Sequence, residues 1–171
     1  MAKMKTTIFL FHPAFAHSRA NAALVHNSPV EVRDLYQLYP TELIDVAAEQ
    51  AALSAADRIV WQFPLYWYSG PGLMKKWLDQ VLTAGWAYEG GTALQGKELL
   101  IATTMGGKLT DYQATGPQGH TVTEFLLPLT VTGEYVGMQV LPPFIVADTV
   151  NITADQLAAA AQRYHQRLLV P

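Results

Sequence analysis

Short apolar blocks recur along this chain, separated by stretches whose apolar positions return every three or four residues. The first kind reads as buried strand and the second as amphipathic helix. Strands are predicted over Thr6 to Phe11, Val30 to Leu35, Ile59 to Phe63, Glu98 to Thr103 and Met138 to Ala147. Helices are predicted from Arg19 to His26, from an Asp45 cap through Leu53, from Pro71 to Leu82, and within Val122 to Tyr135. A capping box, Thr153-Ala-Asp-Gln156, opens the last helix, which runs to about Leu169. Strands alternating with helices imply a parallel sheet covered on both faces.

At 171 residues, the flavodoxin-like strand order 2-1-3-4-5 fits better than a larger dinucleotide fold. The expected fold class is therefore α/β: a three-layer sandwich on a five-stranded parallel sheet, one domain over residues 1–171. Ligands of such sheets bind outside the carboxyl ends of the strands, where the strand order reverses. That point falls between strands 1 and 3.

Composition narrows the chemistry. There is no cysteine, which removes disulfides, thiolate nucleophiles and cysteine-held zinc or iron–sulfur centres. Any redox reaction then needs a bound cofactor. A net charge of −3 without a basic tract gives nucleic-acid binding no electrostatic footing. It also argues against a one-electron flavodoxin carrier, since those proteins are strongly acidic. The five histidines, at 12, 17, 26, 120 and 165, show no metal-ligand spacing and no acidic neighbour at a useful offset, so no metal site is expected. His165, between Arg163 and Arg167, reads as solvated surface. Neither a Gly-x-Ser-x-Gly elbow nor a phosphate-loop Gly-Lys-Ser/Thr motif occurs. Leu141 to Ala147 is broken by proline and spans no bilayer, and Ile8 to Phe11 is too short for the apolar part of a signal peptide, so a cytoplasmic protein is expected.

Three predicted loops converge on the switch point. The first, His12 to Asn21, places Ser18, Arg19 and Asn21 at a helix start. Free N–H groups and the helix dipole there favour an anion such as a flavin phosphate; the plainer reading makes Ser18 an N-cap alone. The second crowds Tyr66, Trp67 and Tyr68 between Pro64 and Ser69. Strand and helix already fill the core, so these rings want a flat apolar partner such as a ring-shaped cofactor, or else they cover one end of the sheet. The third, Thr103-Thr104-Met105-Gly106-Gly107, carries paired glycines that let backbone approach a ligand and permit positive φ.

At these residues the chain resembles the NAD(P)H:quinone oxidoreductase family of flavodoxin-like flavoproteins, and within it the ancillary proteins of glutathione-regulated potassium efflux systems. The carrying segments are His12-Pro13 with Ser18 to Asn21, Leu35 to Pro40, Ile44 to Gln50, Phe63 to Ser69 with Leu73 to Val81, Gly85 to Tyr88, Thr103-Thr104 with Gly106-Gly107, and Leu141 to Phe144. The resemblance implies a homodimer with FMN, or alternatively FAD, at the subunit interface. It implies a phosphate end at His12, Ser18, Arg19, Ala20 and Asn21. The flavin ring would lie against Pro64, Leu65, Tyr66, Trp67 and Tyr68, and backbone of Thr104, Met105, Gly106 and Gly107 would close the other side. The short first loop favours FMN. Met105 stands where the family has glycine, and would be strained by about 1–2 kcal/mol if that backbone needs positive φ.

Of the tyrosine and histidine that some members use beside the flavin, Tyr112 takes the first place. The second falls on Gly119 when counted back from Pro128, one residue before His120. The implied activity is ping-pong reduction of quinones or related electrophiles, with NAD(P)H as co-substrate. The rival is a regulatory subunit docking on a potassium efflux antiporter at the inner face of the membrane, with the flavin as redox signal. Residues 108–121, rich in Gly, Thr and Gln, read as a mobile lid where acceptor choice is made.

Overall fold

The computed structural model describes residues 4–170. In chain order its elements are β1 (Thr6–Leu10), α1 (Arg19–Val25), β2 (Glu31–Asp34), α2 (Leu35–Leu38), α3 (Val46–Ala55), β3 (Arg58–Pro64), α4 (Gly72–Val81), β4 (Glu98–Thr104), α5 (Val122–Tyr135), β5 (Gln139–Val140), β6 (Phe144–Val146) and α6 (Ala154–Leu169). The sheet runs β2-β1-β3-β4-β5, and every pairing is parallel. The order is the one expected, and the reversal lies between β1 and β3.

Side chains alternate across the strands and build two cores. Phe9, Phe11, Trp61, Phe63 and Ile101 face α3, α4 and α5, where Trp77 packs its ring 5.4 Å from both Phe9 and Phe11. Ile8, Leu10, Val60, Leu100 and Ala102 face α1 and α6, meeting Leu24, Tyr164 and Leu168. Full burial of β1, β3 and β4 on both faces explains their nearly unbroken apolar runs.

Caps fix the helix starts. Asp45 accepts from the Ala48 N–H, and capping boxes close on Thr153–Gln156 and on Thr121–Glu124, the second absent from the sequence reading. Glu49 is fully buried and accepts from Arg33 Nη2, from the Tyr39 hydroxyl at 2.6 Å and from Trp77 Nε1 at 3.1 Å. It thereby ties β2, α3 and α4 together.

Three expectations need correction. The fifth strand is two: Pro142 and Pro143 supply no N–H, so the ladder on β4 breaks after Leu141 and resumes as β6. The second strand stops at Asp34, whose carboxylate accepts from the Gln37 N–H and starts the single turn α2; the described residues therefore hold six α-helices where five were expected. His165 is half-buried, with its Nε2 2.9 Å from the Leu24 carbonyl at the end of α1. Among the described residues, no helix is long and apolar enough to cross a membrane.

Candidate cofactor site at the carboxyl ends of the strands

The loop after β1 holds His12 with only 7% of its surface exposed. Its Nδ1 accepts from the Ala14 N–H at 3.1 Å, which leaves Nε2–H as a donor on a neutral ring. Burial pushes the imidazole pKa down, and the charge of Asp34 pulls it part of the way back. Ser18 caps α1, its Oγ accepting from the Asn21 N–H at 3.1 Å. The first turn leaves backbone N–H groups without helical partners. Arg19 is exposed, and one arm of its guanidinium donates to the Ile152 carbonyl, which anchors the side chain without neutralising its charge. Ala20 and Asn21 are buried, and the Asn21 side chain reaches inward to Thr104 and Gln62.

The aromatic loop is a tight hairpin. Tyr66 and Ser69 exchange two backbone hydrogen bonds, of 2.8 and 3.0 Å, around Trp67 and Tyr68. Both central residues have positive φ, 47° and 65°, which marks a two-residue turn of the I′ type that usually takes Asn-Gly. A bulky residue in that region costs about 1–2 kcal/mol. Trp67 nevertheless stands 92% exposed, so no burial offsets the cost. Strain without a packing reward points to function. The loop does cover the sheet end in part: Tyr66 meets His12 edge-on at 6.3 Å.

This hairpin and the loop after β4 are locked side by side by the Leu65 N–H donating to the Thr104 carbonyl at 2.8 Å. The Met105 N–H donates to Val146, and the Met105 carbonyl accepts from both the N–H and the hydroxyl of Thr149. None of Met105, Gly106 and Gly107 has positive φ, so the expected strain at Met105 does not exist and its side chain packs in the core. Gly107 serves space instead. A Cβ at Gly107 would stand 2.9 Å from Tyr112 Cε2.

The N–H groups of Leu65 and Tyr66 are spent within the chain, on the Thr104 and Ser69 carbonyls. Those of Trp67, Tyr68, Gly106 and Gly107 have no partner among the described residues. They form a set of donors on two clamped loops at the switch point.

Beyond them, Phe125 on α5 organises the remaining aromatics. Tyr68 packs on it at 4.7 Å, Tyr112 meets it edge-on at 6.0 Å and His120 at 5.7 Å. The Tyr68 hydroxyl donates to Gln118 Oε1 at 2.9 Å. Burial raises the Tyr112 pKa, with Tyr68 and Asp111 adding to it. His120 is not isolated: its Nδ1 lies 3.4 Å from Glu124, an acidic neighbour that the histidine survey missed. Hydrogen bonds from the Thr121 N–H and hydroxyl, then from His120, hold Glu124 at about 2. Phe125 also escaped the sequence reading, where it passed for one apolar position of a helix. No group of His, Asp and Glu among the described residues could hold a metal ion.

Two grooves run between helices. One, of about 1030 Å³, runs between α1 and α6; the other, of about 660 Å³, lies between α4 and α5 and reaches Tyr68 and Phe125.

Comparison with known proteins places this geometry. The family described as having a flavodoxin-like fold matches residues 4–168. The glutathione-regulated potassium-efflux system ancillary protein KefF of Salmonella typhi is 48% identical over 95% of this chain and 94% of its own. General stress protein 14 of Treponema denticola, solved in complex with FMN, superposes with a TM-score of 0.91 at 38% identity, covering 96% of this chain and 97% of the other. A protein from P. pentosaceus described as an NADPH-quinone reductase does so with a TM-score of 0.85 at 30% identity, covering 96% and 98%. With a parallel sheet of this order, three loops meeting at its switch point and relatives matched end to end, the chain belongs to the flavodoxin-like family of NAD(P)H oxidoreductases.

Proposed function

We propose that this chain is an NAD(P)H:quinone oxidoreductase that holds FMN at the carboxyl ends of β1, β3 and β4. The observation that carries the reading is the set of unpartnered N–H groups on the clamped loops at Trp67-Tyr68 and Gly106-Gly107. Backbone donors of this kind suit the polar edge of a flat heterocycle, and the exposed indole of Trp67 suits an aromatic face. At the other end, Ser18, the first turn of α1 and the neutral His12 Nε2–H would receive the phosphate. The FMN complex of the Treponema relative and the quinone reductase activity ascribed to the P. pentosaceus protein support this assignment.

When bound, FMN would supply two-electron carriage between nicotinamide and quinone, which the side chains of a cysteine-free protein cannot. The residues position. Gly106 and Gly107 would offer N–H donors where negative charge develops. Tyr68, Tyr112 and Phe125 would form a wall against which nicotinamide and quinone bind in turn, in a ping-pong sequence. His120 stands at the edge of this wall, edge-on to Phe125 and exposed beside Glu124. The site is open in one chain: Trp67 has no cover, and the α4–α5 groove continues from Tyr68 with Leu127, Val131 and Tyr135 exposed on α5. A homodimer closing over both completes it.

A second reading, favoured by the identity to KefF, is a subunit that docks on a potassium efflux antiporter and couples flavin state to transport. One experiment separates the outcomes. The purified protein is expected to show flavin absorption bands that bleach anaerobically with NADPH and return on adding a quinone. A protein that binds flavin but does not bleach favours the docking subunit; one that takes up neither FMN nor FAD overturns the oxidoreductase reading.

A further inference from the structure

Gln62 is out of place on the second of the two cores. It sits in the middle of β3, fully buried, with Trp61 and Phe63 as neighbours. Its Oε1 accepts from the Tyr164 hydroxyl at 2.7 Å, and its Nε2 donates to Asn21 Oδ1 at 3.1 Å. Asn21 Nδ2 in turn donates to Thr104 Oγ1 at 2.8 Å. Tyr164 and Gln62 are 0% exposed, Asn21 1% and Thr104 4%. The chain of bonds thus runs from α6 through β3 and α1 to the last residue of β4, inside a cluster that is otherwise apolar: Leu10, Leu24, Leu100, Ala102, Ala160 and Leu168. Burying four polar side chains there is costlier than burying four apolar ones.

The direction of the chain follows from its ends. Burial pushes the Tyr164 pKa up, so the hydroxyl keeps its proton. If both amides were reversed, that proton would be left in the apolar core with no acceptor, at about 1–3 kcal/mol. In the direction observed, every link is made, and of the two hydroxyls that end the chain only that of Thr104 keeps a hydrogen without an acceptor. It lies between the first turn of α1 and the Met105–Gly107 loop.

We propose that Tyr164 and Gln62 are positioning residues that, through Asn21, fix the Thr104 hydroxyl as a hydrogen-bond donor to an acceptor oxygen of the ribityl-phosphate arm of the bound flavin. This rests on the flavin reading above. The arm rather than the ring is the target because Thr104 Oγ1 is tied to α1, where the phosphate would sit, while the ring's donors come from backbone of the loops after β3 and β4, at Trp67-Tyr68 and Gly106-Gly107.

The test is a binding series on the apoprotein, titrated with FMN, riboflavin and lumiflavin, which lacks the arm, and read by flavin fluorescence. Thr104→Val is expected to weaken FMN and riboflavin about five- to tenfold and Thr104→Ser to restore them, the worth of one hydrogen bond. Tyr164→Phe is expected to weaken both ligands about threefold or more. The double variant should be no worse than Thr104→Val alone, because both act through one hydroxyl. Lumiflavin should be indifferent to all of them. A Tyr164→Phe protein that melts earlier but binds FMN like the wild type would reduce the chain to a structural brace and overturn the proposal, as would additive losses or an equal loss for lumiflavin. Wild-type protein that binds no flavin at all would sink the flavin reading itself, and the wild-type titration shows that before any variant is made.

Discussion

Gly107 and Tyr112 are fitted to each other: a methyl group on Gly107 would come within 2.9 Å of Tyr112 Cε2 and 3.4 Å of its hydroxyl oxygen. The obstructing atoms belong to a side chain, so Gly107→Ala pushes the ring aside rather than unfolding the sheet. Since Tyr112 reaches Phe125 edge-on, the displacement alters the wall assigned to the quinone. The expected result is a several-fold rise in KM for quinone, with a melting temperature within a few degrees of wild type. A large loss of stability with unchanged KM would show that the close fit serves packing alone.

Strain at Trp67 makes a prediction of opposite sign for stability and binding. Its φ of 47° suits glycine, and its side chain is 92% exposed, so Trp67→Gly removes strain and sacrifices almost no burial. Urea denaturation of the apoprotein should show a gain of about 1 kcal/mol, offset in part by the greater freedom of glycine in the unfolded chain. Titration of the same variant should show weaker FMN binding. Unchanged FMN affinity would leave the strained indole without the role assigned to it.

His12 sets a pH dependence. Its folded pKa lies below the ordinary 6.5 because burial disfavours the charged ring. Between the two values the unfolded chain holds more proton than the folded one. Stability therefore falls as pH drops below about 6.5 and levels off once the folded imidazole also titrates, with a slope of at most about 1.4 kcal/mol per pH unit. His12→Gln should flatten this part of the profile in denaturation curves recorded from pH 7 to pH 5. A variant profile parallel to wild type would assign the acid sensitivity to other groups.

Much of this was legible in the sequence for a simple reason. A strand buried on both faces must be largely apolar, and β1, β3 and β4 are so over residues 8–10, 59–61 and 99–102; their carboxyl ends then locate the site without any coordinates. What escaped notice depends on pairs distant in sequence. Nothing near Phe125 announces that Tyr68, Tyr112 and His120 all pack on it, since helical periodicity only marks it as apolar. Gln62 did carry a signal, a polar residue inside an otherwise apolar buried strand, but its partners Asn21 and Tyr164 lie 41 and 102 positions away. Whether Met105 is strained hung on the sign of its φ, which the sequence does not carry; φ is not positive, and the residue bonds Val146 and Thr149 through its N–H and carbonyl.

The segment 108–121, read as a mobile lid, has internal structure that can be tested. It opens with a 3-10 turn over Leu109–Asp111, and the Gln118 N–H returns to the Asp111 carbonyl at 3.1 Å. Gly116 lets the loop close so tightly that a Cβ there would stand 2.6 Å from the Asp111 oxygen and 2.9 Å from that of Thr110. Those atoms are backbone and cannot swing away as the Tyr112 ring can. Gly116→Ala should therefore open the loop, with faster amide exchange at Gln118 and Tyr112 and little change in the strands, because local opening need not involve the sheet. Tyr68 would lose its bond to Gln118, and KM for quinone should rise while flavin content stays as in wild type. Faster exchange with unchanged KM would separate the loop from acceptor binding. Wild-type amides already exchanging at unprotected rates throughout 108–121 would restore the mobile lid.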